Sequence, residues 1–321
     1  MGQNRFYTPS SRFLPHRESA GYDVCYSAAM RFVLVFCLLA GSLSAQSPLQ
    51  REIRKIAADA HGEVAVACWL PGSDLNCDRE AHSHPPMQSV FKFPLAVYAL
   101  HLVETGKFSL DQQIHFLPSD RILPETYSPL QDKYPNGDAD VPLRELLMLA
   151  SSLSDNVAAD IVLRVVGGPG AVETYITSLG VKGFHLEDGE HGLHSDRSAQ
   201  YRNWFEPAGA VRLLRRLVDH SPLTPEHTQL LLGWLKDSPT GPHRIKGELP
   251  AGTLVMHKTG TSGVSEGVAA ATNDMGLIVL PDGRRLALAV FVTDSKADEA
   301  TRDSVIARIA KAAYSAAAAP H

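Results

Sequence analysis

An early strand-like hairpin and a cluster of late strands, separated by a long helical middle, restrict this chain more than any other feature. Val64-Ala65-Val66-Ala67-Cys68-Trp69-Leu70 reads as a strand, Pro71-Gly72-Ser73-Asp74 as a turn and Leu75-Asn76-Cys77 as the return strand. Strand patterns resume only at Thr253–His257, Gly267–Ala271, Met275–Leu280 and Arg285–Thr293. A sheet begun near one end of the chain and completed near the other predicts an α+β fold of sandwich-like layering. Its antiparallel sheet is flanked by helices and an all-helical lobe is inserted between its halves. The expected division is a leader over 1–45, a sheet-plus-helix lobe from 46–87 and 237–321, and a helical lobe over 88–236 that includes an irregular loop, 184–203.

Helical periodicity supports that division. Leu49, Ile53 and Ile56 share one face between Ser47, a suitable N-cap, and Ala60. Further helices are expected after Ser89, around Leu143–Ala150, Asn156–Val166, Gly170–Leu179, Pro207–Val218 and Pro225–Lys236, and over Asp298–Ala318. A loop rich in Pro and Asp runs from about Leu117 to Pro142. With 44% hydrophobic and 20% charged residues the composition is that of a soluble globular protein.

The first 45 residues read as a targeting segment. Arg31 precedes the apolar run Phe32–Ala40, and small residues follow through Ala45. This is the pattern of a secretory signal peptide cleaved near Ala45, with translation expected to begin at Met30, and the run is too short to span a membrane. The formal charge of the whole chain is −5, and because residues 1–45 hold four Arg and two acidic residues, the remainder carries −7. Nucleic-acid binding is therefore disfavoured. Export would leave Cys68 and Cys77, which fall opposite each other if the hairpin forms. A disulfide and a pair of reduced thiols are both open readings, and a metal site with His82 and His84 ranks below them because the spacing fits no common zinc pattern.

Three short motifs carry chemistry. In Ser89-Val90-Phe91-Lys92, at the head of an apolar helix, residues three apart share a face, so a hydroxyl can meet an amine able to take its proton. Ser154-Asp155-Asn156 opens a helix, and alone it would be read as an N-cap. Lys258-Thr259-Gly260-Thr261 follows an apolar strand, and alone it would be an edge strand with a charged end. Pro94, unable to donate to the Val90 carbonyl, predicts a loosened or bent helix just beyond the catalytic turn.

Ser-x-x-Lys, Ser-Asp-Asn and Lys-Thr-Gly in this order resemble the signature of serine β-lactamases and penicillin-binding proteins. The chain is similar to class A β-lactamases from about Gln46 to its end. That likeness implies the serine β-lactamase and DD-peptidase fold, a β-lactam as small-molecule substrate, no cofactor, no metal, a monomer, and a periplasmic location after export. It makes Ser89 the nucleophile, Lys92 or Glu190 the base for acylation, Ser154 the proton shuttle and Lys258 the electrostatic anchor. Glu190, 36 residues after Ser154 and 68 before Lys258, would activate the deacylating water. The backbone N–H groups of Ser89 and Thr261 would form an oxyanion hole. Asn156, Thr259 and Gly260 would contact substrate, Tyr127 would flank the entrance, Arg244 would reach the substrate carboxylate, and His194 would help to place the water. Glu187 and His191 read as solvated.

Departures from the class pattern cluster on the loop. His194 replaces the usual Asn four residues after Glu190, the Arg/Asp clamp is missing, with Asp188 and Asn203 at its positions, and Asp160 stands where an Asn is common. These substitutions, with Gln200-Tyr201-Arg202-Asn203-Trp204 and His257–Gly263, resemble the PER-like branch, which is associated with cephalosporins. An Asp160 to Asn203 hydrogen bond is the expected replacement anchor. Two rival readings share the three motifs: a D-Ala-D-Ala carboxypeptidase without a competent Glu190, and a non-catalytic β-lactam or peptidoglycan sensor.

Overall fold

The computed structural model describes residues 46–123, 126–194 and 198–319, and these form one compact unit. The proposed leader, its cleavage point and the Met30 start lie outside the described residues. The elements are, in chain order, α1 (Pro48–Ala57), β1 (Glu63–Trp69), α2 (Lys92–Glu104), β2 (Gln113–Phe116), α3 (Pro129–Lys133), β3 (Ala139–Pro142), α4 (Leu143–Met148) and α5 (Asn156–Val166). Then come α6 (Pro169–Ser178), β4 (Phe184–His185), α7 (Glu190–Leu193), β5 (Trp204–Phe205), α8 (Pro207–Asp219) and α9 (Pro225–Lys236). The chain closes with β6 (Val255–Thr261), β7 (Val264–Ser265), β8 (Val268–Val279), β9 (Arg285–Ser295) and α10 (Glu299–Ala318).

The main sheet is antiparallel, in the order β1-β9-β8-β6, with β7 paired to β8. It joins both ends of the chain, as the strand pattern predicts. Side chains alternate across it with a period of two. Leu286, Leu288, Val290 and Val292 of β9 pack with α1 and α10 on one face, while Ala287, Ala289 and Phe291 pack toward the helices of the chain's middle. Ser47 caps α1 through a reciprocal pair of bonds with Gln50, and Asp298 caps α10.

Two expectations about the early hairpin separate here. Cys68 and Cys77 are bonded, with Cα atoms 5.8 Å apart. The return strand, however, does not form: β1 pairs with β9, and only an isolated bridge joins Val66 to Arg79. On the edge of β1 that β9 leaves free, Val66 and Arg79 exchange both backbone hydrogen bonds, at 2.7 and 3.0 Å, and the pairing goes no further. The two segments expected at Gly267–Ala271 and Met275–Leu280 are one long strand, β8, since Asn273 and Asp274 are buried and paired instead of forming a break. Among the described residues no helix is long and apolar enough to cross a membrane, and no three His, Cys, Asp or Glu side chains form a metal cluster.

Candidate active site

The Ser89 turn is a 3-10 helix, Gln88–Phe91, that passes directly into α2 at Lys92. The change of helix type, two residues before Pro94, takes the place of the bend that Pro94 predicts: Pro94 falls in the first turn of α2, where a missing N–H is tolerated. Gln88 is held at φ 49° although it is buried and not a glycine, which marks local backbone strain beside the nucleophile. The turn is tied down from two sides. Met87 N donates to the Asn203 carbonyl at 3.1 Å, and Asn273 Nδ2 donates to the Pro86 carbonyl at 2.8 Å. Strand β6 lies against the turn so closely that a Cβ on Gly260 would sit 2.4 Å from the Met87 carbonyl oxygen. The glycine in Lys-Thr-Gly thus serves the approach of strand to nucleophile turn.

Lys92 is completely buried, and four oxygens surround its amine. They are Ser89 Oγ at 3.0 Å, the Ser154 carbonyl at 2.7 Å, Glu190 Oε1 at 2.9 Å and Asn156 Oδ1. Ser89 Oγ in turn donates to Glu190 Oε1 at 3.1 Å. One hydroxyl, one amine and one carboxylate therefore meet within hydrogen-bond reach. Ser154 comes to this cluster through an irregular turn. The chain forms a π-helical stretch over Leu149–Leu153, and Ser154 then takes a left-handed conformation, φ 61°. Asp155, not Ser154, caps α5, accepting from Ala158 N; it also accepts from Ser128 Oγ and Leu130 N. This division of labour frees the Ser154 hydroxyl to accept from Lys258 Nζ at 2.8 Å.

Burial pushes the Lys258 amine well below its usual range, with the nearby Lys92 charge acting in the same direction and Glu190 and Asp274 opposing it. Lys258 also donates to the Thr259 carbonyl, and Thr259 Oγ1 donates to Thr240 Oγ1 at 2.8 Å. A cleft of about 400 Å³ is lined by Ser89, Tyr127, Ser154, Asn156, Arg244, Thr259 and Thr261, among others. Tyr127 is 57% exposed at its rim, and its carbonyl accepts from Asn156 N.

Arg244 departs from expectation. It is neither a solvated surface residue nor a free guanidinium: it is 3% exposed, its Nε pairs with Asp303 at 2.8 Å, and its Nη1 donates to the carbonyls of Gly260 and Asn273. Asp303 lies 59 residues away in sequence, and no local pattern marks it as the partner.

The Glu190 loop is also anchored otherwise than expected. No Asp160 to Asn203 bond forms. Asp160 accepts from the backbone N–H groups of Glu190 and His191, at 2.7 and 2.8 Å. Asn203, fully buried, accepts from Glu187 N and Asp188 N and donates to the Asp188 carbonyl. Each side chain satisfies main-chain groups of the loop, which are more demanding partners than another side chain. A clamp does exist, but between Arg202 and Asp188, at 2.6 Å. Desolvation by burial, reinforced by the charge of Glu190, pushes the Asp160 carboxyl up to about 6. His194 is exposed, and its Nδ1 donates to the Glu190 carbonyl at 2.7 Å, so it touches Glu190 through the backbone. His191 and Glu187 are both exposed, as expected, and Glu187 lies 3.8 Å from Arg202.

A serine hydroxyl in direct contact with a buried amine and a carboxylate, with a second serine and lysine beside it, is the arrangement of a serine acyl-transfer hydrolase. Comparison with known proteins agrees. The sequence model of the Beta-lactamase enzyme family matches residues 48–317. The chain is 42% identical over 272 residues to the extended-spectrum β-lactamase PER-1 of Pseudomonas aeruginosa, covering 84% of this chain and 88% of that one. It is 36% identical to β-lactamase VEB-1 of the same organism, covering 82% and 88%. The crystal structure of a β-lactamase from Chitinophaga pinensis DSM 2588 superposes with a TM-score of 0.81 at 42% identity, covering 84% of this chain and all of that one. The chain belongs to the β-lactamase enzyme family, as a PER-like member of class A.

Proposed function

We propose that this enzyme opens the amide bond of penicillins and cephalosporins through an acyl-enzyme on Ser89 and releases the product by hydrolysis, conferring β-lactam resistance. The observation that carries this reading is the contact of Ser89 Oγ with both Lys92 Nζ and Glu190 Oε1. Three oxygens other than Ser89 surround the Lys92 amine, enough to engage all three protons of an ammonium. In this arrangement the Ser89 hydroxyl donates to Glu190, which supports Glu190 over Lys92 as the base for acylation.

In the first step Ser89 Oγ bonds to the lactam carbonyl carbon as its proton passes to Glu190. Backbone N–H groups of Ser89 and Thr261 receive the oxyanion, each contributing about 3–4 kcal/mol in related chemistry. The ring C–N bond then breaks, and the nitrogen takes through Ser154 the proton that Glu190 had received, relayed by Lys92, so that Glu190 is again a carboxylate; Lys258 holds the Ser154 hydroxyl at 2.8 Å. In the second step Glu190 takes a proton from water, the hydroxide adds to the ester carbon, and Ser89 leaves with its proton restored. Lys258 and Thr259 receive the substrate carboxylate. Arg244, already paired with Asp303, borders the same end of the cleft and adds little net charge there. Asn156 takes the substrate amide, Tyr127 flanks the entrance, and His194 steadies Glu190 through its carbonyl.

The likeness to PER-1, named an extended-spectrum enzyme, supports a preference for cephalosporins. We further propose that residues 1–45 are removed on export and that the enzyme works as a monomer in the periplasm. Steady hydrolysis of a chromogenic cephalosporin tests the reaction, with Ser89→Ala as its control. The expected result is turnover by the wild-type chain and neither turnover nor covalent labelling in the variant. Labelling that survives in Ser89→Ala would overturn the scheme.

A further inference from the structure

His257 and Asp274 form a buried hydrogen-bonded pair that the reaction scheme does not use, on the face of the sheet opposite Lys258. Both side chains are fully buried, and His257 Nδ1 lies 3.0 and 2.9 Å from the two carboxylate oxygens of Asp274. Among the described residues His257 Nε2 has no hydrogen-bond partner, so the ring's polar contact there is with Asp274. A pair kept only for packing could be replaced by apolar side chains without loss. Asp274 has two further connections. Its Oδ2 accepts from Ile245 N at 3.1 Å, the residue after Arg244. Its charge also favours the ammonium form of Lys258.

The charged groups facing Lys258 come from four elements. Lys92 on α2 and Arg244 oppose its charge, whereas Glu190 on the loop and Asp274 on β8 support it. Glu190 is already 2.9 Å from Lys92, and it sits on a loop. Asp274 is the supporting charge fixed in the sheet.

We propose that Asp274 is a positioning residue for the carboxylate end of the cleft: it holds His257, the residue before Lys258 on β6, and Ile245, the residue after Arg244, and so fixes the strand and the segment that carry these two cations. This rests on the reading that Lys258 receives the substrate carboxylate. Asp274 touches no substrate, and its effect passes through His257 and Ile245.

The test compares a cephalosporin bearing a free carboxylate with its neutral ester. Asp274→Asn is expected to raise KM for the acid about tenfold, with kcat within about threefold and the ester unaffected. The double variant His257→Leu with Asp274→Leu replaces the pair by apolar side chains suited to that face, and it should show the same pattern if Asp274→Asn does not fold. Equal losses on acid and ester, or an unchanged KM for the acid with only a lowered Tm, would overturn the proposal. A wild-type chain that turned over neither compound would overturn the acyl-transfer reading and this proposal with it.

Discussion

Ser89, Lys92 and Lys258 are carried on helices and a strand packed into the apolar core, with Ser154 on the turn between two of its helices, whereas Glu190 opens the short helix α7 within a loop tied by three side chains. On the core side, close packing sets positions: β6 meets the Ser89 turn through Gly260, and Lys92 is sealed among four oxygens. On the loop side, hydrogen bonds from Asp160, Asn203 and Arg202 set them. Displacing Ser89, the proposed nucleophile, should therefore damage the fold, while Glu190, the proposed water-activating carboxylate, can be displaced with the fold intact. A loop tied by few bonds occupies the low-stability end of a structure.

Substitutions on the two sides should separate accordingly. Gly260→Ala drives a Cβ to 2.4 Å from the Met87 carbonyl, a backbone atom that cannot swing away. It should cost about 3 kcal/mol, as overpacked cores do, and slow acylation together with stability. Urea denaturation and burst kinetics check both, and a fully active, fully stable variant would break the distinction.

Asp160 gives a pH test. Its carboxyl stands at about 6 in the folded chain against an ordinary value of 3.8, so the folded state binds the proton more tightly. The stabilisation is complete below the ordinary value and fades as pH rises to the folded one, a change of about 3 kcal/mol. The stability of Asp160→Asn relative to wild type should therefore climb across that window, measured by denaturant titration at several pH values. A flat difference would contradict the assignment.

Asn203→Ala leaves two loop N–H groups and one carbonyl without partners, at about 2 kcal/mol. Deacylation should fall about tenfold with acylation within about twofold, read by stopped flow. Equal slowing of both steps would show that the loop and the core act as one. Arg202→Ala removes an ion pair whose arginine is one-third exposed, so less than about 1 kcal/mol and a kcat change within about twofold are expected.

The same contrast explains what the sequence made legible. Ser-x-x-Lys, Ser-Asp-Asn and Lys-Thr-Gly are contiguous because each is a single turn or strand end, so local spacing reveals it. The strand pattern likewise placed β1 and β9 in one sheet. The loop anchors were not legible in this way: Asp160 and Asn203 were expected to bond to each other because both are polar and near the loop. Their true partners are backbone N–H groups, which residue type does not advertise. Arg244 found Asp303 on a helix 59 residues later, and His257 found Asp274 across a strand pair, both set by tertiary register. The disulfide could be anticipated because an exported chain would retain two cysteines nine residues apart, although the strand expected to join them did not form.

The central claim is that Glu190 releases the acyl group from Ser89. Intact-protein mass spectrometry of Glu190→Gln mixed with a cephalosporin tests it most directly. A protein that gains the mass of the opened antibiotic and holds it for minutes, while wild type shows no lasting adduct, is the predicted result. An adduct that clears from the variant as fast as from wild type would contradict the account.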